Sequence, residues 1–317
     1  MINYEDAKEK IESIEGNVLL VNKGIPYVHL SALDEAVSND ALYNTRAMKM
    51  HAKIGAGITY GFSTRLGGVS KNEFADMNLG LKLGDDYIAV LENYHRFCSA
   101  IGVDENKISC PDQIHETRIR LVTEEDAGSG ISRLLDEDHL GVDGQVTNVR
   151  NLPLIVYDAD CVPIIAYDPV RKAIGTAHAG WKGSVAGIAR KLISTMQGAF
   201  ESDPQDILVA IGPSAGPESY IVDEDVAKAV KDAALSMNLG QAKIDKLVWG
   251  PSTFAGQENK YKVDLWRLNR AFLLDAGLRA EHIFISGLDT IVLHDVFHSH
   301  RVTGGKRGLN AGIIMLK

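Results

Sequence analysis

The sequence predicts a single domain of mixed strands and helices, and three observations carry that expectation. Strand-like runs bounded by turns recur before, between and after the helical segments. Helical periodicity is clear over residues 184–196 and 223–237. No repeat, low-complexity stretch or Pro/Ser-rich linker divides the 317 residues into two units.

Taken in order, the first 54 residues alternate short helical and strand-like patches and carry no recognisable chemistry, so they are expected to cover one side of the core. Ile58 to Thr64 reads as a strand that exits at Arg65 into the Gly67-Gly68 turn. Asp85-Asp86 offers an N-cap for a helix through Ile101, with Ile88, Leu91, His95, Cys98 and Ile101 at near-helical spacing. Lys107 to Thr123 reads as strand, and Glu124 to Asp138 as a polar loop or short helix. Gly144–Thr147 and Leu152–Tyr157 follow as strands. Past a break at Asp160-Cys161, where Pro163 removes a ladder donor, Ile164–Tyr167 and Lys172–Ala177 form a strand pair joined at Asp168-Pro169. Ser184 is the expected cap of an amphipathic helix whose apolar set is Val185, Ile188, Ala189, Leu192, Ile193 and Met196. A strand over Ile207–Ile211, a helix over Asp223–Met237 and a strand-rich tail from His282, with a hairpin turn at Thr303–Lys306, complete the reading.

Composition excludes several classes. With 45% hydrophobic residues and 30 glycines the chain is neither disordered nor fibrous. A formal charge of −9 and the lack of a Lys/Arg run longer than two argue against nucleic acid as partner. No apolar stretch reaches the roughly 18 residues of a membrane span, and the acidic start lacks a signal-peptide core. Cys98, Cys110 and Cys161 are odd in number and widely spaced, which suits a reduced, cytoplasmic setting better than a disulfide framework.

Three residues stand where apolar runs break into turns: His115 in Cys110-Pro-Asp-Gln-Ile-His115, Cys161 in Tyr157-Asp-Ala-Asp160-Cys161-Val-Pro163, and His178 in Ala177-His178-Ala-Gly-Trp181-Lys182-Gly183-Ser184. A catalytic zinc takes three such ligands and keeps a fourth position open. An inert core thiol and simply hydrogen-bonded histidines are the alternative. Gly180 to Ser184, at the mouth of the following helix, reads either as an anion cradle with Lys182 as point charge or as a tight turn that needs glycine for steric reasons.

These segments resemble, in order, those of the laccase-domain family, also called polyphenol-oxidase-like proteins or zinc-binding purine nucleoside phosphorylases. The resemblance runs through Gly61-Phe-Ser-Thr-Arg65-Leu-Gly-Gly68, Asn78-Leu-Gly80, Gly84-Asp85-Asp86, Gln113-Ile-His115, Asp143-Gly-Gln-Val-Thr147, Asp158-Ala-Asp160-Cys161-Val-Pro163, Ala177-His178-Ala-Gly-Trp181-Lys182-Gly183, Gly212-Pro213 and Phe297-His-Ser299-His-Arg301. It implies the α+β class, as a four-layer α/β/β/α sandwich with mixed sheets over residues 55–317, preceded by a 1–54 extension, and one zinc on His115, Cys161 and His178. The implied activities are phosphorolysis of adenosine, inosine, guanosine and methylthioadenosine, adenosine deamination, and, in an older assignment, copper-dependent oxidation of polyphenols.

The chain departs from the family pattern in three places. Glu218-Ser219-Tyr220 stands for Cys-Cys-Tyr and Asp289-Thr290 for Cys-Thr, which weakens the copper reading. Arg307-Gly308-Leu309-Asn310 stands for Thr-Gly-Arg-Met, so any role of the family arginine passes to Arg307 or is absent.

Catalytic candidates are Arg65, Gln113, Asp160, Cys161 and Lys182. Arg65, Lys182, Gly183 and Ser184 are expected to hold phosphate, and Gln113, Asp143 or Asp160 to contact base or ribose. Asn78 and Arg301, carried by the matched motifs, join the binding set. The expected partners are a purine nucleoside and phosphate, with no nucleic acid, membrane or obligate protein partner. A copper oxidase would need a further cluster, for which His294, His298 and His300 on one face of a strand are the candidates. A hydrolase with Cys161 as nucleophile and His178 as base, acting on peptidoglycan fragments, lacks an identifiable third orienting residue.

Overall fold

The computed structural model describes residues 2–31, 33–35, 57–251 and 259–317. Among these, two sheets lie face to face with helices outside both, so the chain is an α+β sandwich of four layers, α/β/β/α. The first sheet has five strands, in spatial order β1 (Asn17–Asn22), β2 (Ile25–Leu30), β3 (Ile58–Ser63), β14 (Asn310–Leu316), β6 (Leu154–Asp158). The second has six, β13 (Ile283–Ile285), β9 (Leu208–Ile211), β7 (Val162–Asp168), β8 (Ala173–Ala179), β5 (Gly144–Thr147), β4 (Ile119–Leu121). It mixes parallel β4·β5 and β9·β13 pairs with antiparallel neighbours. A small sheet of β10 (Ile221–Val222), β12 (Tyr261–Val263) and β11 (Val248–Trp249) sits apart.

Strand alternation sorts the apolar side chains into separate cores. Along β7, Ile165 and Tyr167 face the other sheet, while Ile164 and Ala166 face helices. Along β14, Ile314 points between the sheets and Ile313 under the helix Tyr87–Ile101. Besides a single turn at Gln241–Ile244, the described α-helices are α1 (Tyr4–Glu12), α2 (Tyr87–Ile101), the short α3 (Trp181–Val185), α4 (Ile188–Phe200), α5 (Glu224–Ser236), α6 (Leu265–Asp275) and α7 (His300–Thr303). Helix α2 covers the five-stranded sheet, and α4, α5 and α6 cover the six-stranded one. The described part of the first 54 residues supplies α1, β1 and β2, and β2 pairs with β3; the 54/55 boundary itself lies outside the described residues.

Several expectations need correction. The run 107–123 is strand only over Ile119–Leu121, because His115 takes φ +68°, a left-handed value that strands do not admit. Asp86 caps α2 as expected, its side chain accepting from Ile88 N, yet Ile88 and His95 are exposed. The buried stripe is instead Val90, Tyr94, Phe97, Cys98 and Ile101. Ser184 does not cap the amphipathic helix: it lies inside α3, and Gly187 at φ +76° separates α3 from α4. Pro163 lies near the start of β7, opposite His178, and the chain breaks at Asp160, φ +85°. The tail is not strand throughout, since only β13 and β14 form and Gly304 ends α7 in a left-handed turn rather than a hairpin.

Candidate metal centre

Cys161 immediately precedes β7 and His178 is the penultimate residue of β8, so the antiparallel register that pairs Val162 with Ala179 places them at one end of the six-stranded sheet. His115 arrives from the irregular segment before β4. The ligand atoms of the three side chains lie within 4.8 Å of one another. The two imidazoles meet edge to face, with centroids 4.8 Å apart. A Cβ on Gly180 would lie 2.8 Å from His115 Cδ2 and 3.2 Å from Cys161 Sγ, which explains glycine there by close approach of the ligands.

Asp143, buried and just ahead of β5, organises the group. Its carboxylate accepts from the backbone N–H of Ile114 at 3.2 Å, His115 at 2.9 Å and Glu116 at 2.8 Å, and from His178 Nδ1 at 2.8 Å. A carboxylate only accepts, so His178 carries its proton on Nδ1 and turns Nε2 to the cluster. Burial alone would raise the Asp143 pKa; the His178 hydrogen bond and the backbone N–H groups overcome it and hold the pKa below its usual value. Burial likewise opposes charge on Cys161 and His178, yet their mutual attraction wins. The thiol falls to about 6 and the imidazole rises to about 10, a thiolate beside an imidazolium when no metal intervenes. A thiolate and two imidazoles fit a single zinc-type ion, with a further coordination position left for a reactant.

The cluster forms part of the lining of a cavity of about 780 Å³. Its polar lining near the ligands includes Asp158 and Arg307, and its outer walls are largely apolar, with Leu81, Leu83 and Tyr87 from one turn and Ile131, Leu134 and Leu135 from another. The Asp158 carboxyl is pushed up to about 8, mainly by burial and then by neighbouring Cys161 and Asp160 against the Asn310 hydrogen bond. A second grouping, Asp126, Asp136 and His139, is taken up by protein contacts: Asp126 accepts from Arg120 at 2.7 Å and pairs with His139 Nε2 at 2.9 Å.

The structure redistributes the other expected residues. Gln113 lines the cavity, but its amide is clasped to the Tyr157 backbone by bonds of 2.9 and 2.8 Å. Asp160 accepts from Thr290, Ser299 and the Arg301 backbone, which makes it an anchor for the tail segment. Asp143 is consumed as described. Arg65 donates to the carbonyls of Ala75 and His294 and is absent from the lining. Lys182 is exposed over the Trp181 ring, 5.8 Å from its centroid. Gly183 is buried where a Cβ would meet Glu116 O at 3.0 Å, and the Ser184 hydroxyl lies between Ala179 O and Asn269 Nδ2. Asn78 and Arg301 also point elsewhere: Asn78 to Gly80, Asp85 and Leu309, Arg301 to Ile221 O and the Tyr220 ring. His294, His298 and His300 do not converge on a metal site among the described residues. His298 is buried and its pKa falls to about 3, chiefly through burial and then through Arg65 and Arg307. Arg307 and Asp158 were both visible in the sequence, as a departure from the tail pattern and as a flank of Cys161, and only the fold reveals that they share the ligands' cavity.

A buried two-sheet sandwich with a His₂Cys cluster at one sheet end makes that end a candidate metal site. Residues 59–317 match the family model described as multi-copper polyphenol oxidoreductase laccase, and the chain belongs to that family. It is 36% identical over 260 residues to a protein named purine nucleoside phosphorylase YlmD from Bacillus subtilis, covering 82% of this chain and 89% of that one. A protein named adenosine deaminase RL5, from an unknown prokaryotic organism, is 32% identical over 79% of this chain and 90% of its own length. The crystal structure of YlmD from Geobacillus stearothermophilus superposes with a TM-score of 0.76 at 30% identity, covering 95% of this chain and 99% of that one.

Proposed function

We propose that this chain is a cytoplasmic, zinc-dependent purine nucleoside phosphorylase that converts adenosine, inosine, guanosine or methylthioadenosine and phosphate to free base and sugar 1-phosphate, with adenosine deamination as a second activity. The observation that carries it is the His115, Cys161, His178 cluster beside a cavity within the size range of small-molecule sites. The names of the relatives support the purine chemistry, and the donor set supports zinc.

His115, Cys161 and His178 would hold the ion, which when bound supplies Lewis acidity toward an oxygen of phosphate or water. In phosphorolysis a phosphate oxygen bonds to the anomeric carbon while the carbon–nitrogen bond breaks and its electron pair leaves with the purine. Asp143 fixes the His178 tautomer and the 114–116 backbone, so the ligands need not reorganise. The apolar walls shield the reacting bond from bulk water. Small molecules suffice as partners in this reading, with no nucleic acid, membrane or obligate protein.

One further reading has a specific observation behind it. Asp143, His178 and Cys161 line up as orienter, base and nucleophile, the third member that the sequence did not reveal, so a metal-free Cys–His hydrolase acting on peptidoglycan fragments is the competitor. Metal analysis of protein purified without chelators, then chromatography after incubation with inosine or adenosine and phosphate, separates them. One zinc per chain and phosphate-dependent ribose 1-phosphate are expected. Products independent of phosphate point to the hydrolase, and oxygen uptake with a phenol but inertness toward nucleosides points to copper oxidation.

A further inference from the structure

We propose that Arg307 is the residue that holds the phosphate in this cavity. The inference rests on the phosphorylase reading and assigns its anion site to a side chain other than Arg65 or Lys182. Three lysine and arginine side chains among the described residues line the cavity: Lys82, Arg133 and Arg307. Lys82 is paired with Asp112, and Arg133 grips Asp136 through two bonds while donating to the carbonyls of Ala127 and Glu125. Arg307 makes no hydrogen bond or ion pair to any described residue, and its Nε is buried without a partner.

A half-buried guanidinium whose Nε is shut off from water without a partner is costly, and a doubly charged anion with oxygens matching its fork removes that cost. Arg307 shares the cavity lining with Asp158, Cys161 and His178, close enough for Asp160, Cys161 and Asp158 to act on its charge. Its backbone is fixed. A Cβ on Gly308 would lie 2.6 Å from His298 Nε2 and 2.8 Å from Asn78 Cβ, and the next amide, Leu309 N, donates to Asn78 Oδ1 at 2.9 Å. Asn78 is therefore a positioning residue for this arginine, and an entering phosphate meets a fork already in place. The competing role for Arg307 is simple neutralisation of the surrounding acidic groups, which predicts loss of metal or stability without a selective effect on phosphate.

Titration calorimetry with inorganic phosphate on the zinc-loaded protein, repeated for R307A, R307K and K182A, decides between these roles. R307A is expected to weaken phosphate binding, and to raise the phosphate KM, about ten- to hundredfold. Its zinc content should stay near wild type, and K182A should bind phosphate normally. R307K keeps the local charge but not the fork, so it should fall about tenfold short even if R307A proves unstable. Wild-type phosphate affinity in R307A or R307K, or no phosphate binding by the wild type, overturns the proposal. Phosphate binding that depends on Arg307 without any sugar 1-phosphate produced would leave the anion site standing and remove the phosphorylase reading.

Discussion

Asp143 accepts four hydrogen bonds and thereby sets one ligand's tautomer and another ligand's backbone. Replacing it with Asn keeps the shape but lets an amide N–H face the amides or His178, so D143N should weaken zinc binding about ten- to hundredfold in chelator competition. Unchanged affinity would reduce Asp143 to a loop brace. Gly180 gives a second test at this scale: a methyl group there must displace His115 or Cys161, so G180A should lose metal with little loss of thermal stability. His298 supplies the pH dependence. Its folded pKa of about 3 lies below the roughly 6.5 of an unfolded histidine, so the unfolded chain takes up a proton first and stability falls as pH drops below about 6.5. Asp158 works in the opposite sense where its folded pKa stays raised, so the wild type should be compared with H298Q. The stability difference between them should shift by about 2–4 kcal/mol in favour of H298Q from pH 7 to pH 4, and parallel unfolding curves would refute it.

At the scale of elements, α4 shows how packing and site separate. Leu192 is fully buried against the six-stranded sheet, on the side away from the sandwich interior. L192A should cost about 2–5 kcal/mol in denaturant unfolding while the folded fraction retains full zinc stoichiometry; loss of metal in the folded fraction would tie the helix to the site. Elements with local signals were legible in the sequence: the Asp86 cap, the β7–β8 pair around Asp168-Pro169, and the α4 stripe all depend on neighbours a few positions away. Where tertiary contacts fix the backbone, periodicity misled, as in 108–118, which bends to put three successive amides on Asp143, and in the tail, where Asp160 gathers Ser299 and the Arg301 amide. The grouping of His115, Cys161 and His178 was legible because their residue types and turn placement are chemical signals. Whether Arg65 or Arg307 reaches the cavity is a matter of loop direction, which spacing does not encode.

At the scale of the molecule, three apolar cores among the described residues hold the layers together, and none depends on the ligand cluster for its contacts. Chelation, or the C161A substitution, should therefore abolish metal retention and activity while leaving the far-UV spectrum and a cooperative unfolding transition; a chain that melts on chelation would show the ion to be a folding cofactor. The position of β14 carries a different kind of consequence. It lies between β3 and β6, pairing Ile313 with Gly61 on one side and Ile155 on the other. The five-stranded layer thus stays split into two open-edged pieces until synthesis has passed residue 316, and the β3 and β6 edges it will cover wait exposed on the ribosome. This chain should accordingly lean on holding chaperones during translation far more than its finished form would suggest, and arrest of elongation before β14 should yield a protease-sensitive, aggregation-prone intermediate.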